Sequence, residues 1–384
     1  MWLERFEGTG LMSRNGNEWS GGADFTTPGD IYNAMPPRIV FGAGAAARVA
    51  EEVARLNAGR ALVVCTPGRN EMAHRVADRL GGLCVGVYPK AVSQVPIELA
   101  RAARAYVTEC GIDCLIAVGG GAAIGLAKAV ALETDCSYIA VPSTYSGSEM
   151  TGFCGITIDG VKRMHTSLRM LARTVIYDPE LTLGLPVQVS AESAMNAMAH
   201  CIEALYVRTA SPVIAMAALE GIRALSEGVP RVMRDPADLQ ARREALYGAY
   251  LGGAALTGGF ALHHGVAHVL GASYGIPHAT SHSVALPYVT AFNESACPAI
   301  MSRVARSLGA ETASGGLYDF ARSVGAPVCL ADQGMTQGDV ERCTELVIET
   351  DNGLNPRPVD ARGVRLILEA ALSGRRPQAR MFAA

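Results

Sequence analysis

The sequence predicts an α/β N-terminal domain, a parallel sheet covered by helices on both faces, followed by an all-α C-terminal domain. In the first half, short and continuous apolar runs alternate with helical segments, which is typical of strands buried on both faces. In the second half the strand pattern fades and long helical stretches follow. The length of 384 residues also agrees with two domains.

The elements of the first half follow one another at short intervals. Residues 1–31 are polar and rich in glycine, without an apolar period, and are expected to form a disordered or extended tail. Five strands are then expected, at residues 38–41, 61–65, 83–88, 114–118 and 138–142. Helices are expected between them, at residues 45–56, 71–80, 96–110 and 125–133. This alternation predicts a parallel sheet, because parallel neighbours need a crossover connection.

The pattern changes after two X-Pro steps, Asp178-Pro179 and Leu185-Pro186. Long helices are expected beyond them, at residues 191–208, 215–227, 242–258 and 359–372. We therefore predict an α/β domain over residues 32–185 and a helical domain over residues 186–384.

Composition and charge exclude several classes of partner. The net charge of −3 gives no general attraction to nucleic acid or to an anionic membrane. No window holds the roughly 18 apolar residues that a membrane span needs, and the N-terminus lacks the pattern of a signal peptide. The ten cysteines contain no C-x-x-C pair, which favours reduced thiols. A cytoplasmic protein is expected.

Three consecutive glycines, Gly119, Gly120 and Gly121, lie between a predicted buried strand and a predicted helix. Such a turn can bring backbone N–H groups and a helix N-terminus to a pyrophosphate, which a Cβ atom would hold away. A tight turn without a ligand is the plain alternative. Gly42-Ala43-Gly44 lacks the last glycine of the dinucleotide fingerprint and is interpreted mainly as a turn.

A second polar turn follows the next strand, at residues 142–149. Its hydroxyl groups, among them Ser143, Thr144 and Ser148, lie at the carboxyl edge of the predicted sheet, where open α/β sheets bind ligands. Thr66 follows the strand at 61–65, where a classical NAD site often has a carboxylate. We predict that NADH or NADPH binds these two turns and Thr66. Because the position of Thr66 is neutral, no exclusive preference for NADH is expected.

Histidines are concentrated in one part of the second half. Of the eight histidines in the chain, five fall within twenty residues: His263, His264, His268, His278 and His282. A sixth, His200, lies on an earlier predicted helix. A single histidine is more often a packed or surface residue. This cluster, framed by small residues that leave room for a pocket, favours a functional site. His264 and His268 are spaced i, i+4, as are Asn196 and His200, so each pair shares a helix face.

These motifs, in this order, identify the chain as a member of the iron-containing alcohol dehydrogenase superfamily over about residues 32–372. The order comprises the triple glycine, a P-[ST]-T-x-x-x-G-S-E turn, a D-P-x-L motif, the i, i+4 pair, H-x-x-x-H-x-L-G, P-H and N-P-R. In this chain they are Gly119–Gly121, residues 142–149, 178–181, Asn196 with His200, residues 264–271, Pro277-His278 and residues 355–357.

Two departures from the family pattern carry information. Typical members ligate Fe²⁺ or Zn²⁺ with one Asp and three His, and the resemblance places the three His at His200, His264 and His278. The position of the Asp is Asn196, a neutral and poorer ligand. The Asp that usually follows the triple glycine is replaced by Gly125. The surrounding segments, residues 124–128, 145–151 and 32–42, are similar to those of maleylacetate reductases, which act in the breakdown of resorcinol-like and chlorinated aromatics.

The resemblance implies that a small dicarboxylate, maleylacetate, is reduced at its C=C bond to 3-oxoadipate by NADH or NADPH. His200, His264 and His278 would surround the reacting end, with His268 nearer the nicotinamide. No metal is expected, although Fe or Zn at His200, His264 and His278 stays an alternative. The family also implies a homodimer or a larger homo-oligomer.

Three other functions stay open. The nearest is a metal-dependent alcohol or hydroxy-acid dehydrogenase with a relaxed ligand set. A non-catalytic nucleotide-binding protein would have no use for the histidine cluster, and a metal-storage or structural protein would have none for the two polar turns.

Overall fold

The computed structural model describes residues 37–382. Six parallel strands form one sheet in the order β1-β8-β5-β4-β2-β3, and β6 and β7 form a separate hairpin. The strands are β1 (Arg38–Phe41), β2 (Ala61–Val64), β3 (Cys84–Tyr88), β4 (Cys114–Gly119), β5 (Ser137–Pro142), β6 (Phe153–Ile158), β7 (Val161–Thr166) and β8 (Thr174–Tyr177). The helices of this half are α1 (Val49–Arg55), α2 (Asn70–Leu80), α3 (Ile97–Glu109) and α4 (Gly121–Glu133).

Successive residues of the central strands pack on opposite faces of the sheet. Val63 of β2 lies in one apolar cluster with Val49 and Val76, from α1 and α2. Its neighbour Leu62 lies in another cluster with Leu126 of α4. The continuous apolar runs therefore reflect burial on both faces, which confirms the predicted parallel sheet with helices on either side.

Several boundaries differ from the sequence-based expectation. The helix expected at residues 125–133 begins four residues earlier, at Gly121. The helix expected at residues 45–56 consists of a 3-10 turn, Ala45–Arg48, followed by α1. Strand β8 was not predicted, although it pairs with both β1 and β5. The tail predicted at residues 1–31 lies outside the described residues.

The β6–β7 hairpin was also missed, and it forms one wall of the site described below. Asp159 and Gly160 connect the two strands, and both have a positive φ, 51° and 74°. This is the geometry that favours Asp-Gly in two-residue hairpin turns. The Asp-Gly pair between alternating residues was therefore a readable signal.

Helices make up the second half. They are α5 (Val187–Tyr206), α6 (Pro212–Arg234), α7 (Leu239–Leu256), α8 (Leu262–Tyr274), α9 (His278–Asn293), α10 (Pro298–Ser307), α11 (Ala313–Ser323), α12 (Val340–Ile348) and α13 (Ala361–Ser373). The last strand, β8, ends ten residues before α5 begins. This agrees with a helical C-terminal domain, while the boundary at residues 185/186 stays a prediction. No helix among residues 37–382 is long and apolar enough to span a membrane.

Close contacts fix the two halves against each other. A Cβ atom on Gly253 of α7 would lie 2.4 Å from the carbonyl oxygen of Gly147, so only glycine allows this approach. The fully buried Arg242, also on α7, donates hydrogen bonds to the Tyr145 hydroxyl at 3.2 Å and the Ser190 hydroxyl at 2.7 Å. The polar turn after β5 is thereby held on α7 and on α5, the helix that carries His200.

Candidate active site

A cleft of about 420 Å³ lies between the carboxyl edge of the sheet and the helical half. Its walls come from the turns after β4 and β5, the β6–β7 hairpin, and helices α5, α8 and α9. Of the residues predicted to bind a cofactor or substrate, seven line it: Gly121, Thr144, Ser148, His200, His264, His268 and His278. The structure thus brings the two predicted turns and the four candidate histidines to one cavity.

The three glycines after β4 differ in conformation and surroundings. Gly119 has a φ of 137°, a region that side chains other than hydrogen disfavour. A Cβ atom on Gly120 would lie 2.9 Å from the Thr144 Cγ2 atom, whereas one on Gly121 would meet nothing within 4 Å. Gly119 and Gly120 therefore serve the turn and its packing, and Gly121, at the start of α4, faces open space in the cleft.

The polar turn after β5 contains hydroxyl groups that are available to a ligand. The Ser143 and Thr144 hydroxyls are buried and have no hydrogen-bond partner among the described residues. Buried polar groups are normally paired, so an unpaired hydroxyl beside an open turn fits a polar ligand. Thr144 lines the cleft, whereas Ser143 and Thr66 are not among its lining residues. A cofactor contact by Thr66, Ser143, Gly119 or Gly120 stays a prediction.

The four candidate histidines come from three helices. His200 lies on α5, His264 and His268 on α8, and His278 is the first residue of α9. The ring centroids of His200 and His264 are 5.3 Å apart, and those of His268 and His278 are 6.1 Å apart. The four imidazoles therefore form two stacked pairs along the same cleft.

His263 and His282 belong to the core behind this layer. Both are fully buried, and the His263 Nε2 and His282 Nδ1 atoms are 2.8 Å apart. Neither lines the cleft. Adjacent residues on a helix point in different directions, so His264 reaches the cleft while His263 faces inward.

Glu203 holds His264 and was missed by sequence reasoning. This fully buried carboxylate on α5 contacts the His264 Nδ1 atom. It also accepts the backbone N–H groups of Ala261 and His263 at the N-terminus of α8, at 2.8 and 2.9 Å. Burial raises the pKa of Glu203, but His264 and these hydrogen bonds outweigh burial, and its pKa is lowered. Glu203 is therefore a carboxylate that fixes the ring and tautomer of His264.

The remaining histidines are in a desolvated environment. Burial, followed by the neighbouring histidine charges, lowers the pKa of His200 well below its ordinary value. Burial and neighbouring charges do the same to the pKa of His268. Both act as neutral imidazoles near neutral pH, which can donate or accept hydrogen bonds but carry no charge. His264 is the histidine of the cleft that contacts a carboxylate.

The donor set at the position of the family's metal ion lacks a carboxylate. Across residues 37–382, no three His, Cys, Asp or Glu side chains are placed so that they could share one ion. Asn196 stands on α5 one turn before His200; its amide nitrogen donates to the Ser146 carbonyl at 3.3 Å, and its Oδ1 atom has no described partner. The donor set is neutral at this position, which disfavours a divalent cation.

The comparisons with known proteins assign the family. Residues 36–179 match the model of the iron-containing alcohol dehydrogenases, and residues 190–372 match the C-terminal model of the same family. The maleylacetate reductase of Burkholderia cepacia is 45% identical over 348 residues, 90% of this chain and 99% of that protein.

Solved structures give the same result. The maleylacetate reductase of Agrobacterium tumefaciens is 44% identical with a TM-score of 0.87, over 91% of this chain and all of that one. An iron-containing alcohol dehydrogenase of Corynebacterium glutamicum is 38% identical with a TM-score of 0.88, over 93% of this chain and all of that one. The chain therefore belongs to the iron-containing alcohol dehydrogenase family, on the branch that includes its maleylacetate reductases.

Proposed function

We propose that the chain reduces the C=C bond of maleylacetate to 3-oxoadipate with NADH or NADPH, a step in the breakdown of resorcinol- and hydroxyquinol-type aromatics. The observation that carries this proposal is the cleft itself. It joins an open glycine turn to four imidazoles, and no Asp or Glu is among its described lining residues. Such a cleft suits a dianionic substrate better than it suits a metal ion that needs carboxylate ligands.

The residues fit a nicotinamide dinucleotide. The open space at Gly121 and the unpaired Thr144 hydroxyl form a polar cradle at the N-terminus of α4, where backbone N–H groups favour a phosphate. When bound, NADH or NADPH supplies the hydride for the reduction. The N-terminal turns hold the dinucleotide, and the histidines of α5, α8 and α9 meet the substrate from the opposite wall.

Gly121→Ala tests this cradle. A methyl group there meets no protein atom, so the fold should tolerate it, but it occupies the space assigned to the phosphate. We expect the KM for the reduced cofactor to rise about tenfold or more, the loss of one charge-assisted contact. Steady-state kinetics measure this, with Gly82→Ala as the control, because it also meets nothing within 4 Å and lies outside the cleft. An unchanged cofactor KM in Gly121→Ala would place the phosphate elsewhere.

The reaction is a conjugate addition. The alkene carbon distant from the ketone accepts the hydride, the π-electron pair moves toward the ketone, and negative charge develops on the ketone oxygen as an enolate. A proton then adds to the alkene carbon next to the ketone. The protein must orient the enone, stabilise the developing oxyanion and deliver that proton.

His264 is assigned as the residue that donates the proton to carbon, and His200 as the residue that donates a hydrogen bond to the ketone oxygen. Because the His264 Nδ1 atom contacts Glu203, its Nε2 atom is the one free to act on a ligand in the cleft. The carboxylate stabilises the positive charge of the ring, as a buried acid does behind a catalytic histidine. The neutral His200, stacked on His264, offers a hydrogen bond to the oxyanion. His278 and His268 line the same cleft.

Metal independence is part of the proposal, because Asn196 stands where the family has a carboxylate ligand and no three ligating side chains converge within residues 37–382. Prolonged incubation with a chelator is expected to leave kcat unchanged and to release no stoichiometric Fe or Zn. Elemental analysis and assay measure both outcomes, with a zinc-dependent dehydrogenase treated in parallel to show that the chelator works. Loss of activity that Fe²⁺ or Zn²⁺ restores would refute this part.

The substrate assignment is tested with enzymatically generated maleylacetate. We expect oxidation of NADH or NADPH with maleylacetate at a kcat/KM far above that with simple alcohols, aldehydes or hydroxy acids. The reverse preference would favour a metal-dependent alcohol or hydroxy-acid dehydrogenase, a function supported by the similarity to the Corynebacterium glutamicum protein. A homodimer or larger assembly in the cytoplasm completes the proposal.

A further inference from the structure

The cleft contains two lysines, Lys128 and Lys162, and their surroundings differ. The ammonium group of Lys128 is fully engaged: it donates to the Ser148 carbonyl at 2.5 Å, and to the Thr151 hydroxyl and the Phe153 carbonyl at 2.9 Å each. An ammonium group has three protons, so all are used. Lys128 therefore connects the polar turn after β5 to the β6–β7 hairpin, and its ammonium group has no N–H left to donate to a ligand.

Lys162 has the opposite character. It lies on β7 and lines the cleft, and no hydrogen bond or ion pair to another residue of 37–382 engages its ammonium group. Most of its surroundings are protein, and burial lowers its pKa. A partly buried cation without a counter-ion is costly, and a bound anion would remove that cost.

The opposite strand provides a seat for the Lys162 side chain. Gly155 of β6 also lines the cleft, and a Cβ atom there would lie 2.2 Å from the Lys162 Cε atom and 3.0 Å from its Cγ atom. The lysine stem therefore crosses the face of Gly155, and any larger residue would push it aside. The hairpin is shaped to direct this particular side chain.

Lys162 lies close enough to His268 and His278 for its positive charge to act on both. After burial, its positive charge contributes to the lowered pKa of both His268 and His278. Glu149 is buried behind the polar turn, where it accepts hydrogen bonds from the Tyr177 and Ser146 hydroxyls, and is not a lining residue. No Asp or Glu among the described lining residues therefore compensates the charge of Lys162, which leaves it available to a negative group in the cleft.

We propose that Lys162, seated over Gly155, binds one carboxylate of the dianionic substrate and so sets the specificity of the cleft for dicarboxylates. This rests on the proposed function for the identity of the substrate. The ammonium group donates to the carboxylate, and the adjacent His278 and His268 confine it. Lys162 thereby positions the enone along the two histidine pairs.

The test compares Lys162→Met, which keeps the stem and removes the charge, with Lys162→Arg, which keeps a charge. Kinetics with maleylacetate give KM and kcat, calorimetry with adipate gives the affinity for an unreactive six-carbon dianion, and fluorescence gives the Kd for NADPH. For Lys162→Met we expect KM and the adipate Kd to rise about 10- to 100-fold, the range for a lost bond to a charged group. The value of kcat and the NADPH Kd should change little, and Lys162→Arg should recover part of the affinity.

Two further variants separate this role from simpler causes. Gly155→Ala, which displaces the Lys162 stem, should shift KM and the adipate Kd in the same direction as Lys162→Met. Arg163→Met removes a positive charge from the next position of the same strand, which does not line the cleft, and should leave both constants unchanged. Equal effects of Arg163→Met and Lys162→Met would reduce the role to general attraction and overturn the proposal.

Other outcomes are equally decisive. Unchanged KM and adipate Kd in Lys162→Met, or a rise confined to the NADPH Kd, would overturn the proposal, the latter by assigning Lys162 to the cofactor. If the wild-type protein did not turn over maleylacetate, the proposed function would fail on its own. Weaker adipate binding in Lys162→Met would then still support a carboxylate site, and absent adipate binding in the wild type would refute it.

Discussion

Replacing His264 by alanine is expected to lower kcat about 100-fold or more while leaving the Kd for NADPH unchanged. That factor is the lower end of what a positioned proton donor contributes. His264 is the cleft histidine whose Nδ1 atom contacts a buried carboxylate, so no neighbour can replace it in the same orientation. His200→Ala should also lower kcat, since it removes the hydrogen bond assigned to the ketone oxygen.

His74→Ala is the matched control for both variants, because His74 is exposed on α2 and remote from the cleft. Circular dichroism of each variant should match the wild type, so that a lost fold is not mistaken for lost catalysis. Near-wild-type turnover in folded His264→Ala or His200→Ala would contradict the corresponding assignment.

Glu203→Gln is expected to lower kcat about tenfold or more with little change in the KM for maleylacetate, a smaller effect than loss of the proton donor itself. The substitution keeps the shape of the side chain but removes its charge. The amide oxygen can still accept the backbone N–H groups of Ala261 and His263, which both bond Oε1, but the amide nitrogen then faces the His264 Nδ1 atom and cannot accept its proton. The ring is then free to take the other tautomer, and the positive charge of a protonated His264 loses its counter-ion.

Glu192→Gln on the same helix is the control, because Glu192 accepts the Thr280 hydroxyl outside the cleft. It should leave kcat unchanged. The melting temperature of Glu203→Gln should fall below that of the control, because the buried N–H groups at the start of α8 then bond a neutral oxygen in place of a charged one. A Glu203→Gln variant with wild-type kcat would show that His264 needs no carboxylate.

Local patterns predicted the fold well. The apolar runs at 61–65 and 114–118 are strands because residues such as Leu62 and Val63 are buried on opposite faces, and this leaves a continuous signal. The i, i+4 spacing of His264 and His268 likewise placed both on one face of α8. Strand β8 has a fully buried run of four residues like β2, so it was readable from the sequence although no α-helix follows it directly.

The missed parts of the site depend on long-range contacts. Glu203 meets the backbone of residues 261 and 263, 58 and 60 positions later, and nothing near it in the sequence marks that partner. Lys162 is one of many surface-type residues until the hairpin seats it over Gly155. The Asp159-Gly160 turn could have revealed the hairpin, but which of its faces meets the cleft is set by packing against the other walls.

The central claim, reduction of a C=C bond in the histidine-lined cleft, is tested most directly by following the transferred hydride. Maleylacetate is reduced with NADH or NADPH that carries deuterium in place of the transferred hydride, and the product is examined by NMR. The expected product is 3-oxoadipate with deuterium on the methylene next to the carboxylate furthest from the ketone, and with the second new hydrogen, from solvent, on the methylene between that carbon and the ketone. Deuterium on a carbinol carbon would mean that the ketone itself was reduced, and would contradict the account.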